Sequence, residues 1–283
     1  MNTHRQNAFI ASIRSLVLVC LLIAPSVFAD DSLVVTAQIL PVSQFITAGQ
    51  LVEVAVIFTM TDGWHTYWQN PGEAGMPTTF DWILPPGFSV ISMQEPVPVR
   101  HVEDGITTFI HEEEAIYLFQ IKTPPEIPDT VQFDVKIDWL ECKSICRAGS
   151  AELSLILPGA DGENPAIATK RMQNRAKLQY ASPSEHFHVN VSRRGDQVMI
   201  DAKALVQKGS RITTVDFFPS DEMVYDISQK PELRSRFRSH KIHIPLLQDL
   251  EEAPKTLRGI LKITQDSGNG LKISNIMINE TIE

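Results

Sequence analysis

The sequence predicts an all-β protein, a β-sandwich followed by a second, smaller β-sandwich-type domain. Three observations carry this expectation. Runs of β-branched and aromatic residues alternate with polar ones at close spacing. Glycine and proline punctuate them, as at Pro85-Pro86-Gly87 and Pro124-Pro125. Helical periodicity is nearly absent, and many short strands joined by such turns are the pattern of a sandwich.

The first residues are of another kind. Arg5 and Arg14 precede or flank the apolar run 16–23, and Pro25 and Val27-Phe28-Ala29 lead into Asp30-Asp31. A basic start, a short apolar stretch and a small-residue end read as a cleaved secretory signal over residues 1–29. The run falls short of the ~20 apolar residues that span a bilayer, and no later stretch supplies them. The expectation is therefore an exported chain with no transmembrane segment after signal cleavage.

Residues 33–40 and 51–59 are alternating and β-branched, with Gly49 between them. Asp62-Gly63 opens an aromatic strand, Trp64-His65-Thr66-Tyr67-Trp68, which the turn signal Asn70-Pro71-Gly72 closes. Further strands are expected at 79–84, 88–93, 107–110, 115–123, 131–140 and 151–157. The character shifts near Pro158-Gly159. Within a linker over 159–183, a segment ending near Tyr180 reads as a helix, with Asn164 as N-cap and Pro165 at the first helical position. Strands resume at 186–191, 197–202, 212–218, 241–246, 257–264 and 271–278, giving a second β-rich domain over 184–283.

Charge supports the division. The 283 residues carry a net −9, which argues against a nucleic-acid partner. Residues 30–158 hold 18 acidic and 5 basic side chains, whereas residues 159–283 hold 16 and 18. The acidic first domain is suited to steer toward a basic partner surface, or its charge simply keeps it soluble.

Once the signal is removed, Cys142 and Cys146 are the only cysteines. In an oxidising compartment such a pair is a staple or an exchangeable disulfide. A bridge closing so short a loop gains little chain entropy, so stapling alone is a weak reason for it. On one extended strand, residues four apart lie ~13 Å apart, beyond the ~4.4–6.8 Å Cα separation of a disulfide. The chain must reverse at Lys143-Ser144-Ile145, as a tight hairpin or a single helical turn. Lys143 and Arg147 favour a thiolate there, while Asp138 and Glu141 oppose it.

Two stretches resemble a known family. The run Trp139-Leu140-Glu141-Cys142-Lys143-Ser144-Ile145-Cys146, with residues 151–158 after it, is similar to the cysteine signature of the DsbD N-terminal-domain family. The earlier run Gly63-Trp64-His65-Thr66-Tyr67-Trp68-Gln69-Asn70-Pro71-Gly72-Glu73-Ala74-Gly75 resembles a hallmark of its ScsB-type copper-sensitivity branch. The resemblance covers residues 31–158 and extends more loosely through Phe217-Phe218-Pro219 and Leu257-Arg258-Gly259. It implies an immunoglobulin-like periplasmic domain in which Cys142 and Cys146 are the catalytic pair; no cofactor is expected. Its implied partners are thioredoxin-like periplasmic proteins. In the family a membrane-embedded and a thioredoxin-like domain usually follow in the same chain. Neither follows before Glu283, so the expectation is either a separately encoded membrane electron-transfer protein as the electron source or a redox cycle that has been lost. The family shields its cysteines with a loop that maps onto residues 107–111, making Phe109 and His111 the expected cap. Position in the motif assigns Cys146 as the attacking thiol. The competing expectation is a non-catalytic Ig-like binding or chaperone module whose disulfide only staples a hairpin.

The remaining features have simpler readings. Trp64, Tyr67 and Trp68 are expected to pack a half-buried strand rather than form a sugar platform. His186 and His188 share one strand face, and His65, His101 and His111 are scattered, with no spacing of a metal box. Glu112-Glu113-Glu114 reads as a solvated turn. The basic stretch from Lys230 to Lys241, with Arg234, Arg236 and Arg238, reads as a solvated loop.

Overall fold

The structure is a computed structural model. It describes residues 34–43, 46–159, 174–183, 189–202, 205, 209–236 and 239–283. The expected signal peptide, the helix start at Asn164-Pro165, and His186, His188 and Arg238 lie outside the described residues.

Ten strands fill the first part of the chain. They are β1 (Val35–Pro41), β2 (Leu51–Met60), β3 (His65–Gly72), β4 (Thr79–Ile83), β5 (Ser89–Gln94), β6 (Val99–Glu103), β7 (Ile106–Glu112), β8 (Glu114–Lys122), β9 (Thr130–Cys142) and β10 (Cys146–Pro158). One sheet runs β1-β2-β8-β5; the other runs β10-β9-β3-β7-β6, with β4 also paired to β9. Inward side chains of both sheets meet in the core. Val56 and Phe58 of β2 and Tyr117 and Phe119 of β8 pack against Val135, Ile137 and Trp139 of β9. Phe58 meets the Trp139 ring edge-on at 5.2 Å, and Phe80 meets Phe119 at 4.9 Å. Such contacts add to the area term of aromatic burial. The fold is all-β, as the alternation predicts, and immunoglobulin-like, as the family resemblance implies.

β2 is buried on both faces, which a two-layer sandwich alone does not explain. A short helix, α1 (174–179), covers its outer side. Ala176 and Tyr180 pack on Val42, Ala55, Ile57 and Ile116, and the Tyr180 hydroxyl donates to the Ile116 carbonyl at 2.8 Å.

The rest of the chain adds β11 (Ser182–Pro183), β12 (Asn190–Arg194), β13 (Gln197–Asp201), β14 (Arg211–Pro219), β15 (Glu232–Arg236), β16 (Ser239–Pro245), β17 (Thr256–Asp266) and β18 (Leu271–Thr281). They form sheets β11-β18-β17-β14 and β12-β13-β16-β15, which share no strand with the first two. Val198, Ile200, Ile242 and Ile244 face Phe217, Leu261, Ile263 and Ile276 across their core.

Residues 34–283 form one compact unit, and a specific contact joins the two sandwiches. Trp68 and Phe109 from the first pack against Phe218 and Ile260 from the second. Beside them Arg100 is paired with Asp216, Nη2 to Oδ1 at 2.8 Å and Nε to Oδ1 at 3.0 Å, and Nη2 also donates to the Phe217 carbonyl at 3.2 Å. Asn70 Nδ2 donates to the Pro219 carbonyl at 2.8 Å. β3 therefore runs through Asn70-Pro71-Gly72 rather than ending in a turn there. The break in its β7 register between Tyr67 and Gly72 is what admits Pro71, which has no N–H for a ladder.

Candidate functional site

β9 and β10 form a long hairpin whose register pairs Cys142 directly with Cys146. The two are joined by a disulfide across a Cα separation of 4.1 Å. Of the two expected reversals the chain uses the hairpin, with Lys143, Ser144 and Ile145 at its tip and Lys143 N–H donating to the Ile145 carbonyl at 3.0 Å. The tip is tied down by Lys143 Nζ, which donates to the Asp62 carbonyl at 2.9 Å.

Strand alternation decides what each neighbour does. Trp139 and Glu141 point inward. Glu141 is 4% exposed, and its carboxylate accepts from Trp139 Nε1 at 2.8 Å and from Arg147 Nε. The Arg147 guanidinium lies 5.1 Å from the centre of the Trp64 ring. Of the charges expected to tune the cysteines, Arg147 and Glu141 are thus engaged with each other, while Asp138 lies 3.7 Å from Lys136. Gly149, opposite Trp139, leaves room for the indole: a Cβ there would stand 2.3 Å from the ring.

Leu140 and Cys142 point to the other face, where Tyr67 and Ile110 cover them. Gly75 allows that cover, because a Cβ on it would lie 2.2 Å from the Tyr67 ring, at a backbone φ of +107°. Cys142 is 2% exposed, whereas Cys146 is exposed. Both line a cleft of about 280 Å³ together with His65, Tyr67, His101 and Glu103.

Nothing in the sequence places two of these residues beside the disulfide. β3 places His65 as the Cα partner of Cys142. β6, a strand the sequence does not announce, brings the His101 ring to 5.4 Å from that of His65. Burial holds the His65 imidazole below its usual pKa, His101 adds to the effect, and Glu103 opposes it. Burial also raises the Tyr67 phenol, with Glu103 contributing.

Residues 33–158 match the family model described as thiol:disulfide interchange protein DsbD, N-terminal. They are a DsbD N-terminal family domain. In fold the chain is similar to the N-terminal periplasmic domain of ScsB from Proteus mirabilis, with 16% identity and a TM-score of 0.59 over 89% of this chain and 96% of that one. A second similarity is to the DsbD N-terminal domain of Neisseria meningitidis in the reduced form, at 12% identity over 45% of this chain and 86% of that one. Its TM-score of 0.29 is too low to inform the fold. No curated protein matches the sequence.

Within this DsbD N-terminal domain, the cysteine hairpin is where the sequence puts it, but the expected cap is not. On β7, Thr108 lines the cleft and Ile110 packs on Cys142. Phe109 and His111 alternate to the opposite face. The Phe109 ring is 0% exposed, 6.2 Å from Trp68 and 5.3 Å from Phe218. It fills the joint between the sandwiches instead of covering the disulfide. His111 Nε2 lies 3.3 Å from Glu95 Oε1, and its ring is edge-on to Tyr117 at 5.8 Å. Burial raises the Glu95 carboxyl, and His111 pulls it back. A shift of one residue along an alternating strand separates cap from core.

The aromatic run packs as expected at Tyr67 and Trp68, which are buried, while Trp64 is half-buried under Arg147. Arg234 in the basic stretch pairs with Glu232 at 2.7 Å. Among the described residues there is no group of three or more His, Cys, Asp or Glu placed to hold a metal, and no helix is long and apolar enough to cross a membrane.

Proposed function

We propose that this protein is a periplasmic thiol–disulfide exchange protein, passing electrons through Cys142 and Cys146 between a membrane electron-transfer protein and thioredoxin-like periplasmic partners. In this reading residues 30–158 are the redox domain, 159–183 a linker, and 184–283 a support that orients it. The unequal exposure of the two cysteines carries the reading. An incoming thiolate reaches Cys146, while Tyr67, Ile110 and Leu140 screen Cys142. Attack at Cys146 Sγ forms the mixed disulfide and releases Cys142, and the reverse attack by Cys142 resolves it. Ile145 at the hairpin tip, 66% exposed, offers an apolar contact beside the reacting sulfur. The family match and the likeness to a periplasmic ScsB domain support both the chemistry and the compartment.

The test is trapping. The Cys142→Ser variant is expected to form a stable mixed disulfide through Cys146 with a thioredoxin-like protein that lacks its resolving cysteine, and Cys146→Ser to form far less. No adduct with either variant, together with a midpoint potential well below about −300 mV, would instead mark a structural staple in a binding module.

A further inference from the structure

Exchange at this hairpin raises the question of a proton. When a partner sulfur takes Cys146, the electron pair of the broken bond leaves on Cys142 Sγ, at a residue 2% exposed. A thiolate there is poorly hydrated and strongly basic. The direct Cα pairing of His65 with Cys142 projects both side chains from the same face of the sheet, with Cβ atoms ~5 Å apart. Both border the cleft onto which Cys146 opens. The His65 ring is held on two sides, edge-on to Tyr67 at 5.3 Å and tilted against His101 at 5.4 Å.

We propose that His65 is the acid–base group of the exchange, an assignment that rests on the disulfide being exchangeable. A partner thiol entering the cleft gives its proton to the neutral imidazole. Its sulfur bonds to Cys146 Sγ, the Cys142–Cys146 bond breaks, and His65 passes the proton to the Cys142 sulfur. The products are a partner–Cys146 mixed disulfide and a Cys142 thiol, with His65 neutral again. In the reverse direction His65 takes the Cys142 proton as that sulfur attacks Cys146, and hands it to the departing partner thiolate.

The groups around His65 fit the role. Tyr67 stands on its own strand, and Glu112 is its partner on β7. His101 and Glu103 reach in from β6, Asp104 from the turn after it, and Lys143 from the hairpin. Burial and His101 keep the imidazole unprotonated near neutral pH, ready to accept, while Glu103 steadies the imidazolium that follows.

Reduction of the disulfide by dithiothreitol, followed from about pH 5 to about pH 9, tests the assignment. For the wild type the rate near neutral pH is expected to exceed, by roughly 100-fold or more, the value set by the reagent's thiolate fraction. His65→Gln should lose that excess and follow the thiolate fraction alone, and His243→Gln, on β16 of the second sandwich, should keep it. In reduced Cys146→Ser protein, adding His65→Gln should raise the pKa at which Cys142 becomes alkylatable. Free imidazole, added to His65→Ala, should restore part of the rate. Superposable profiles for the wild type and His65→Gln, or a wild type that itself tracks the thiolate fraction, would overturn the proposal. Should His65→Gln unfold, the wild-type profile still decides. Failure of the wider exchange reading looks different: thioredoxin-like donors then leave the wild-type disulfide intact, while dithiothreitol still reports on His65.

Discussion

Phe109→Ala separates the two roles this residue has been given. A cap over the cysteines would be half-exposed and mobile, and its loss would speed attack on the disulfide with little effect on stability. The observed ring is 0% exposed, lies between Trp68 and Phe218, and has the Arg100 guanidinium 5.2 Å from its centre. Truncating so enclosed a phenylalanine removes its transfer energy and leaves a cavity between two packed sandwiches. Such changes cost about 3–5 kcal/mol. For a chain of this size one kcal/mol shifts the melting temperature by about 2–4 °C, so a drop of roughly 6–20 °C is expected. Thermal or urea unfolding measures the loss, and dithiothreitol reduction of Cys142–Cys146 in the folded variant measures access. The expected pair of results is a large fall in stability with a reduction rate within about 2-fold of the wild type. An unchanged melting temperature with a reduction rate raised tenfold would refute the placement of Phe109 in the joint and restore it as a cap.

The other expectations follow from the same geometry. Arg100→Ala strands the Asp216 carboxylate in the joint and should cost about 3–5 kcal/mol, with Asp216→Ala added on top recovering part of the loss in a double-mutant cycle; additive losses would refute the pairing. Reducing the disulfide opens a loop of about five residues, worth only about 2 kcal/mol of chain entropy, so the reduced protein should stay folded by circular dichroism; global unfolding on reduction would contradict the exchange reading. Because the His65 pKa is lowered from 6.5 in the folded state, the unfolded chain binds more protons between the two values. The stability His65 confers is therefore complete above the unfolded value and is lost as pH falls through the folded one. His243 is shifted in the same direction, mainly by burial. Glu95, raised by burial, acts with opposite sign, and its contribution is lost as pH rises through its folded value. His65→Gln should flatten the decline in urea-unfolding free energy below about pH 6.5, and an unaltered slope would count against a buried neutral imidazole.

The chain reversal at the cysteines was legible in the sequence because a local constraint forced it, with hairpin and helical turn both left open. Two bonded cysteines four residues apart cannot share a straight strand, and alternation on either side left β9 and β10 as its arms. The sandwich was legible for a similar reason, since period-2 burial is written into each strand separately. What surrounds the disulfide was not, because it depends on pairing between strands distant in sequence. β6 is five residues long and follows Pro96 and Pro98, and its burial pattern shows no alternation. Yet it delivers both Arg100 to the joint and His101 to the cleft.

Parity explains the misplaced cap as well. A family resemblance locates a loop, but on a strand one residue of uncertainty exchanges the two faces. On β7 the residues facing the cysteines are Thr108 and Ile110, and the aromatic between them is committed to the second sandwich. That commitment bears on how the exchange can be regulated. With Phe109 locked between Trp68 and Phe218, no aromatic lid on this strand can swing away from Cys142 without opening the joint. Screening of the buried sulfur falls to Tyr67 and Ile110 in the sheet itself, while Cys146 is exposed. In the exchange proposed above, selectivity among partners resides in what fits the cleft beside His65 and His101, and not in a gate that opens to admit them.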